Sequence, residues 1–407
     1  MKILWISYLG SWTKPLAEQI AKSNSVEVII PSTENKDVSE NGVTYHYASF
    51  SSKEASRPMT SASFMKFQPI IQKFQPDVIH VHGTEKNLAQ VQNFTPNIPV
   101  IVSIQGLVNG CIPYTTAYVD KKEIRPFKSL KNLLGFGGLS LMERTCRKAA
   151  IAENQILQNN RYFFGRTDFD KAHILMRNPK AHYFLGEELL RQEFYMHAGS
   201  WKIDDCEQYS IFMPSGFNPI KGMHLAIKSV LLLKQFYPHV KLYVPGVFTS
   251  NRQKNKLLSR FTGEEYIRYA YDMVKKNGLS DNVIFMPRQM AIQMVEHMKT
   301  AHVFLAPSSI DNSPNAVGEA SMIGCPIVTT PVGGIPSFMK DGVNALLSPA
   351  GDPYMLAYNI KKIFENDELA VTLGNNAHKS ALKRHDIERT TEQYVWGYSE
   401  CIRLHRA

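Results

Sequence analysis

One stretch of this chain leaves little choice of fold. Residues 301–349 read AHVFLAPSSIDNSPNAVGEASMIGCPIVTTPVGGIPSFMKDGVNALLSP. His302 to Ala306 is a short apolar run, as a buried parallel strand requires. Pro307, two serines, Asp311, Asn312 and Ser313 follow, which is loop chemistry. Ser313 can cap a helix, and Pro314 suits its first position. That helix is expected to run to about Ile323, where Gly324 and Pro326 stop it. Pro326 to Thr330 reads as a second buried strand, PVGG as a glycine-rich loop, and VNALL as a third, shorter strand. Strand, loop, helix and strand at this spacing make a βαβ unit, so the sheet around it is parallel.

The loop opens a helix N-terminus, where the backbone N–H groups of Asn315, Ala316 and Val317 are expected to be free. Those amides and the helix dipole favour an anion. Asp311 precedes the helix, and Glu319 lies about a turn and a half into it. One carboxylate can face a group ahead of the loop, and the other can accept from hydroxyls beside the helix. An anion between two sets of hydroxyls describes a sugar nucleotide. Taken alone, acid-x7-acid also fits a plain βαβ unit with Asp311 in a loop and Glu319 solvated.

The whole string is more specific. It resembles the signature of family 4 glycosyltransferases (the group 1 family), which have the GT-B fold: acid-x7-Glu-Ala, a small residue, Gly-x-Pro-Ile/Val, then Gly-Gly. This chain departs in carrying Asp311 where the family usually has Glu, and Pro314 where it usually has glycine. The resemblance implies an α/β protein of two Rossmann-like doubly wound domains facing a central cleft. The first covers residues 1–190, with a C-terminal helix from about 385 packing back on it. The second, which binds the nucleotide sugar, covers 191–384, with a soft boundary near 185–208. By the same resemblance Asp311 holds donor sugar hydroxyls and Glu319 the ribose diol.

Length supports two cores. No apolar run reaches the roughly 18–20 residues that span a bilayer. MKILWISYLG is too short for a signal peptide and reads as a first strand. Five scattered cysteines with no CxxC pair argue against a zinc site or disulfide framework and suit the cytoplasm. The net charge of +10 admits nucleic acid, an anionic membrane surface, anionic substrates or an inert basic surface. There is no nucleic-acid motif and no basic-aromatic ladder, so nucleic acid is not expected.

In chain order, Ile3 to Ser7 is the first strand, then a loop with the single Gly10 and a helix from Thr13 to Lys22. One glycine is no dinucleotide fingerprint. Val26 to Ile30 and Val43 to Tyr47 read as strands, 32–42 as a surface loop and Phe64 to Phe74 as a helix. PDVIHVHG (76–83) is a strand resembling the family's PDvIHvHg element. His80 and His82 share a face there. No matching carboxylate makes them a metal pair, so buried structural histidines are expected. His82 also sits where open α/β sheets bind ligands, on the acceptor side. After the next strand (99–104), Gln105-Gly106 stands where the family commonly has His-Gly. Gln105 can hydrogen-bond hydroxyls but cannot act as a base.

Residues 111–150 are basic and apolar (PFKSLKNLLGFGGLSLMERTCRKAA). They suit either an anionic membrane surface or a lid or helical insert on the first domain. Glycines 135, 137 and 138 weaken a single long helix. RYFFGRTDFDKAHI (161–174) resembles the first domain's last strand and following helix, with Arg166 facing the cleft or held in an ion pair. Glu187, Glu188 and Arg191 read as an exposed helical face.

The second doubly wound unit starts at Tyr209 to Met213. Lys221-Gly222 matches the family's Lys-Gly, where the lysine contacts donor phosphates, though the chain has Ser215 where an arginine is usual. By resemblance, Arg288 and Gln289, in the loop that closes the strand-and-loop segment 282–290, are base-site candidates. The expectation is a retaining glycosyltransferase that takes a nucleoside diphosphate sugar, UDP-linked, to a glycan or lipid-linked acceptor in surface polysaccharide synthesis. It needs no cofactor or metal and works in the cytoplasm, at or near the inner face of the membrane. The rivals are another GT-B activity, such as a phosphorylase or epimerase, and a non-catalytic protein that binds a sugar nucleotide or glycan as a scaffold.

Overall fold

A computed structural model describes residues 1–8, 10, 12–129, 132, 138–246 and 265–407. Of the glycines singled out in the sequence, Gly135 and Gly137 lie outside the described residues. The chain divides into two compact units. One comprises 1–110, 146–190 and 384–407; the other comprises 111–145 and 191–383.

The first unit carries an eight-stranded sheet in the order β3-β4-β2-β1-β5-β6-β7-β8. Its strands are β1 (Lys2–Ile6), β2 (Ser25–Ser32), β3 (Lys36–Glu40), β4 (Val43–Ser49), β5 (Val78–His82), β6 (Val100–Ser103), β7 (Tyr162–Gly165) and β8 (His182–Leu185). All pairings are parallel except β3 with β4. β3 falls in the segment read as a surface loop. Every residue of it is exposed, so it offers no apolar alternation to find. β8 likewise adds a strand beyond the one expected to be last.

Alternation along β1 feeds two cores. Leu4 and Ile6 face one, with Phe67, Val102 and Phe163. Ile3 and Trp5 face the other, with Leu16, Tyr394 and Tyr398. The last two belong to the C-terminal helix Ile387–Arg406, which lies on this sheet and buries Thr390, Tyr394, Gly397, Tyr398 and Cys401 at helical spacing.

The second unit has six parallel strands in the order β11-β10-β9-β12-β13-β14. They are β9 (Glu207–Phe212), β10 (Lys241–Pro245), β11 (Val283–Met286), β12 (Ala301–Ala306), β13 (Ile327–Thr329) and β14 (Leu346–Leu347). The order reverses between β9 and β12, and open α/β sheets bind ligands beyond the carboxyl ends of strands at such a switch point.

Residues 111–145 group with this second unit, not with the first as the sequence suggested. The physical reason is local. In the helix Lys121–Ile124, Ile124 is buried. The Glu123 carboxylate accepts from Lys228 at 3.2 Å and from the Tyr269 hydroxyl. Asn132 and the Leu139 amide both donate to the buried Glu265, at 2.8 and 2.7 Å. Among the described residues no helix is long and apolar enough to cross a membrane.

Candidate functional site

The loop after β9 and the loop after β12 meet at the switch point of the second sheet. The Ser309 N–H donates to the Ile220 carbonyl at 2.7 Å. Gly222 has φ +81°, and a Cβ there would lie 2.1 Å from the Pro307 carbonyl oxygen. Only glycine lets the two backbones pack this closely. The consequence is functional, because this packing sets the Lys221 Nζ 2.6 Å from Asp311 Oδ2. The glycine-rich loop adds a second lock. Gly333 has φ +53°, its Cβ would lie 2.0 Å from the Asp311 carbonyl oxygen, and the Gly334 N–H donates to that same oxygen at 3.0 Å.

The helix Asn315–Ile323 begins at this place. Its N-cap is Pro314 and makes no side-chain cap bond, so Ser313 does not take the capping position expected of it. The Val317 N–H donates to the Pro314 carbonyl at 3.0 Å. Of the three amides expected to be free, Val317 is therefore spent inside the helix, and Asn315 and Ala316 form its open end.

Glu319 is buried, contrary to a solvated position on the helix. Its oxygens accept from Arg191 Nε at 2.7 Å and Nη2 at 2.8 Å, a bidentate pair. Burial pushes the Glu319 carboxyl up from the usual range, and Arg191 pulls it back.

Lys221, Asp311, Pro314, Ala316, Val317, Glu319, Ser215 and Arg191 all line one cavity of about 170 Å³, with Met294 and Leu305 among its apolar walls. Small-molecule sites span roughly 300–1,000 Å³, so this cavity takes one end of a ligand. Arg288 and Gln289 do not line it. Arg288 is exposed, and Gln289 donates to the Pro287 carbonyl at 2.9 Å.

Arg191 is the cavity residue that the sequence did not reveal. Spacing paired it with Glu187 and Glu188 on an exposed helix, but both glutamates are buried. Arg384 donates to Glu187 at 2.9 Å and Arg166 to Glu188 at 2.6 Å. The partner of Arg191 lies 128 residues away, and no local pattern encodes that.

In the first unit the switch point lies between β1 and β5. Gly10 and Thr13 exchange hydrogen bonds there, at 2.8 and 3.1 Å, and Gly10 is exposed. His80 is structural. Trp5 Nε1 donates to the Tyr398 hydroxyl at 3.0 Å, and that hydroxyl lies 2.6 Å from His80 Nδ1. His80 Nε2 lies 2.6 Å from the Ser103 hydroxyl oxygen, so both ring nitrogens have hydrogen-bond partners inside the fold.

His82 is buried against Trp5, Trp12 and His80, and neither ring nitrogen has a hydrogen-bond partner among the described residues. Burial holds its pKa down to about 3. Arg166 is buried in its pair with Glu188 and also donates to the Ile104 carbonyl at 3.0 Å, so the ion-pair alternative holds. Gln105 is half-buried, and beside it Glu85, which the sequence did not flag, accepts from the Gly106 N–H at 3.0 Å. Among the described residues no group of three His, Cys, Asp or Glu is placed to hold a metal ion.

The family model described as "Glycosyl transferases group 1" matches residues 201–380. A D-inositol 3-phosphate glycosyltransferase of Mycolicibacterium vanbaalenii is 28% identical over 195 residues, 46% of this chain and 40% of that protein. The chain matches less than half the length of the curated relatives it resembles. Sucrose-phosphate synthase from Thermosynechococcus elongatus superposes with a TM-score of 0.72 at 17% identity, covering 98% of each chain. HepE of Anabaena, in complex with UDP and glucose, superposes with a TM-score of 0.66 at 15% identity, covering 98% of this chain and 99% of its own. The two parallel-sheet units have the GT-B fold, and residues 201–380 are similar to the group 1 glycosyl transferase family.

Proposed function

We propose that the protein is a retaining glycosyltransferase that moves a sugar from a UDP-linked donor to a glycan or lipid-linked acceptor in surface polysaccharide synthesis. One observation carries this reading: Lys221, Asp311 and Glu319 surround a single cavity at a helix N-terminus on the switch point of the second sheet. The departing diphosphate needs positive charge, and Lys221 with the amides of Asn315 and Ala316 supplies it by preorganisation. Asp311 holds donor sugar hydroxyls, and Glu319 holds the ribose diol. The acceptor hydroxyl attacks the anomeric carbon on the face the diphosphate leaves. The bond from that carbon to the phosphate oxygen breaks, and the hydroxyl proton passes to that oxygen. Support for UDP comes from HepE, whose crystals hold UDP and glucose.

Lys221 is paired with Asp311. A bare anion must break that pair and leaves Asp311 unsatisfied. A sugar nucleotide gives each group a partner, the diphosphate to Lys221 and hydroxyls to Asp311. This exchange favours the whole donor over free phosphate.

The first experiment titrates UDP, GDP and ADP calorimetrically into wild-type protein and Glu319→Ala, then screens UDP-sugars for turnover. Selective UDP binding that the variant loses, with turnover, supports the reading. Binding without turnover on any donor and acceptor assigns the non-catalytic scaffold instead. Failure of folded protein to bind any nucleotide overturns the reading.

A lipid-linked acceptor would bring the basic segment to an anionic bilayer. Lys121, Lys122 and Arg125 are exposed, while Glu123 is engaged by Tyr269 and Lys228. Co-sedimentation with anionic vesicles, but not with neutral ones, is expected. It should weaken with salt and in a variant neutralised at these three positions.

A further inference from the structure

Arg191 opens the longer segment, 191–383, of the second unit. Its guanidinium lies against the Phe194 ring at 4.8 Å and reaches Glu319 through two nitrogens, 2.7 and 2.8 Å from its two oxygens. The Glu319 side chain is 5% exposed and the Arg191 side chain 24%, so the arginine pairs with a buried carboxylate while itself reaching solvent. Ser215, which lines the same cavity, contributes no charge. Among the described residues Lys221 and Arg191 are therefore the two cations lining this cavity, and they come from different parts of the chain.

We propose that Arg191 is a positioning residue for nucleotide recognition, holding Glu319 ionised and oriented so that its carboxylate accepts from both ribose hydroxyls, and adding the cavity's second positive charge. This inference rests on the donor-site reading above. The argument is one of lone pairs. An ionised carboxylate has about four acceptor sites. Arg191 takes one on each oxygen, which leaves one on each for a vicinal diol. The planar fork fixes the carboxylate plane in a way a single ammonium does not.

Without Arg191 the carboxylate would be buried with no cation against it. Burial already pushes Glu319 up, and Glu193 pushes it in the same direction. Asp311 and Lys221 share the cavity as a pair, and Met294, the lining residue from the helix Ala291–Thr300, is apolar. Loss of the guanidinium would remove the influence that pulls the Glu319 pKa back, so the carboxyl would take up a proton at higher pH than in the wild type. A protonated carboxyl gives up an acceptor site, so it no longer matches two hydroxyl donors.

The test is calorimetric titration of UDP and its 2′,3′-dideoxy analogue into wild type, Arg191→Gln and Arg191→Lys, from about pH 6 to about pH 8.5. Wild type should prefer UDP to the dideoxy analogue by about tenfold or more at every pH, as hydrogen bonds to a charged group require. Arg191→Gln should bind UDP about tenfold more weakly at the acid end for each unit by which the Glu319 pKa exceeds the pH, and should recover as the pH rises. Arg191→Lys should keep a flat pH profile yet lose part of the diol preference.

A merely structural arginine would lower stability without tying affinity to pH or to the ribose hydroxyls. If Arg191→Gln does not fold, the reduced diol preference of Arg191→Lys decides the question, and an unchanged preference overturns the proposal. Wild-type binding with unchanged affinity, preference and pH profile in both variants overturns the role of Arg191 alone. A folded wild type that binds no nucleotide overturns the donor-site reading and this inference together.

Discussion

Two ion pairs, Lys221 with Asp311 and Arg191 with Glu319, set the electrostatics of the cavity. They differ in solvent access, and that difference decides what each can do. The Lys221 side chain is 34% exposed, so its ammonium can exchange Asp311 for an incoming phosphate at little desolvation cost. Glu319 is nearly sealed and keeps its partner. Lys221→Ala should therefore act mainly on the chemical step, where charge develops on the leaving diphosphate. The expected loss is about 100- to 1000-fold in kcat for the UDP-sugar that turns over. Steady-state kinetics beside Lys221→Arg check this. Partial recovery with arginine supports a charge role, and a variant with wild-type kcat removes Lys221 from the reaction. Lys221, Asp311 and Glu319 were legible as residues because a short motif carries each. Arg191 was not, because its meaning lies in a contact across 128 residues. Val317 was half legible: its place at a helix start was clear, but the bond from its amide to Pro314 depends on where the helix begins, a boundary that sequence fixes poorly.

Elements were easier to read where one face is apolar. The βαβ unit from β12 to β13 and the strand at 78–82 follow hydrophobic runs, and both appear within a residue or two of their expected bounds. β3 was invisible because an edge strand exposed along its whole length has no apolar face to mark it. The segment 111–145 was assigned to the first unit because chain order was the available guide. Its own contacts, Glu123 to Lys228 and Asn132 to Glu265, place it in the second. The glycine-rich loop was recognised, but not the reason for it. Gly333 lets the chain pass against the backbone of Asp311, so the loop is the support that fixes a site carboxylate. Gly333→Ala puts a methyl where a backbone oxygen lies and also strains a positive φ. A stability loss of about 1–3 kcal/mol is expected, together with a larger proportional loss of UDP affinity as the Asp311 loop shifts. Calorimetry and urea unfolding on the same preparation separate the two effects. Full UDP affinity in a destabilised variant would mean that the loop does not position Asp311.

At the scale of the whole molecule, several histidines are buried with their pKa values depressed by desolvation. In the first unit these are His80, His82 and His385, the last two held to about 3. In the second unit His224 is held to about 4. Each has a folded pKa below its unfolded value of about 6.5. Above that pH both states are neutral at these sites, and the histidines do not affect stability. As pH falls below about 6.5 the unfolded chain takes up protons that the folded chain refuses, so stability is lost toward the folded pKa. The slope is about 1.4 kcal/mol per pH unit for each such group. The window from about pH 6.5 to about pH 4.5 lies above the ordinary carboxylate range, and there the histidines are opposed by the buried carboxyls of Glu85, Glu187 and Glu319, which desolvation pushes up. Because the chain has two units, unfolding need not be one transition, and each must be followed separately. Hydrogen exchange with mass-spectrometric readout does this across the window. His385→Gln should lower the slope of the acid loss in the first unit by one group's share and leave the second unchanged, and His224→Gln, in a unit that also buries His302, should do the reverse. If either variant keeps the wild-type slope in its own unit, that histidine is already protonated in the fold, and its burial is not what makes the protein acid-sensitive.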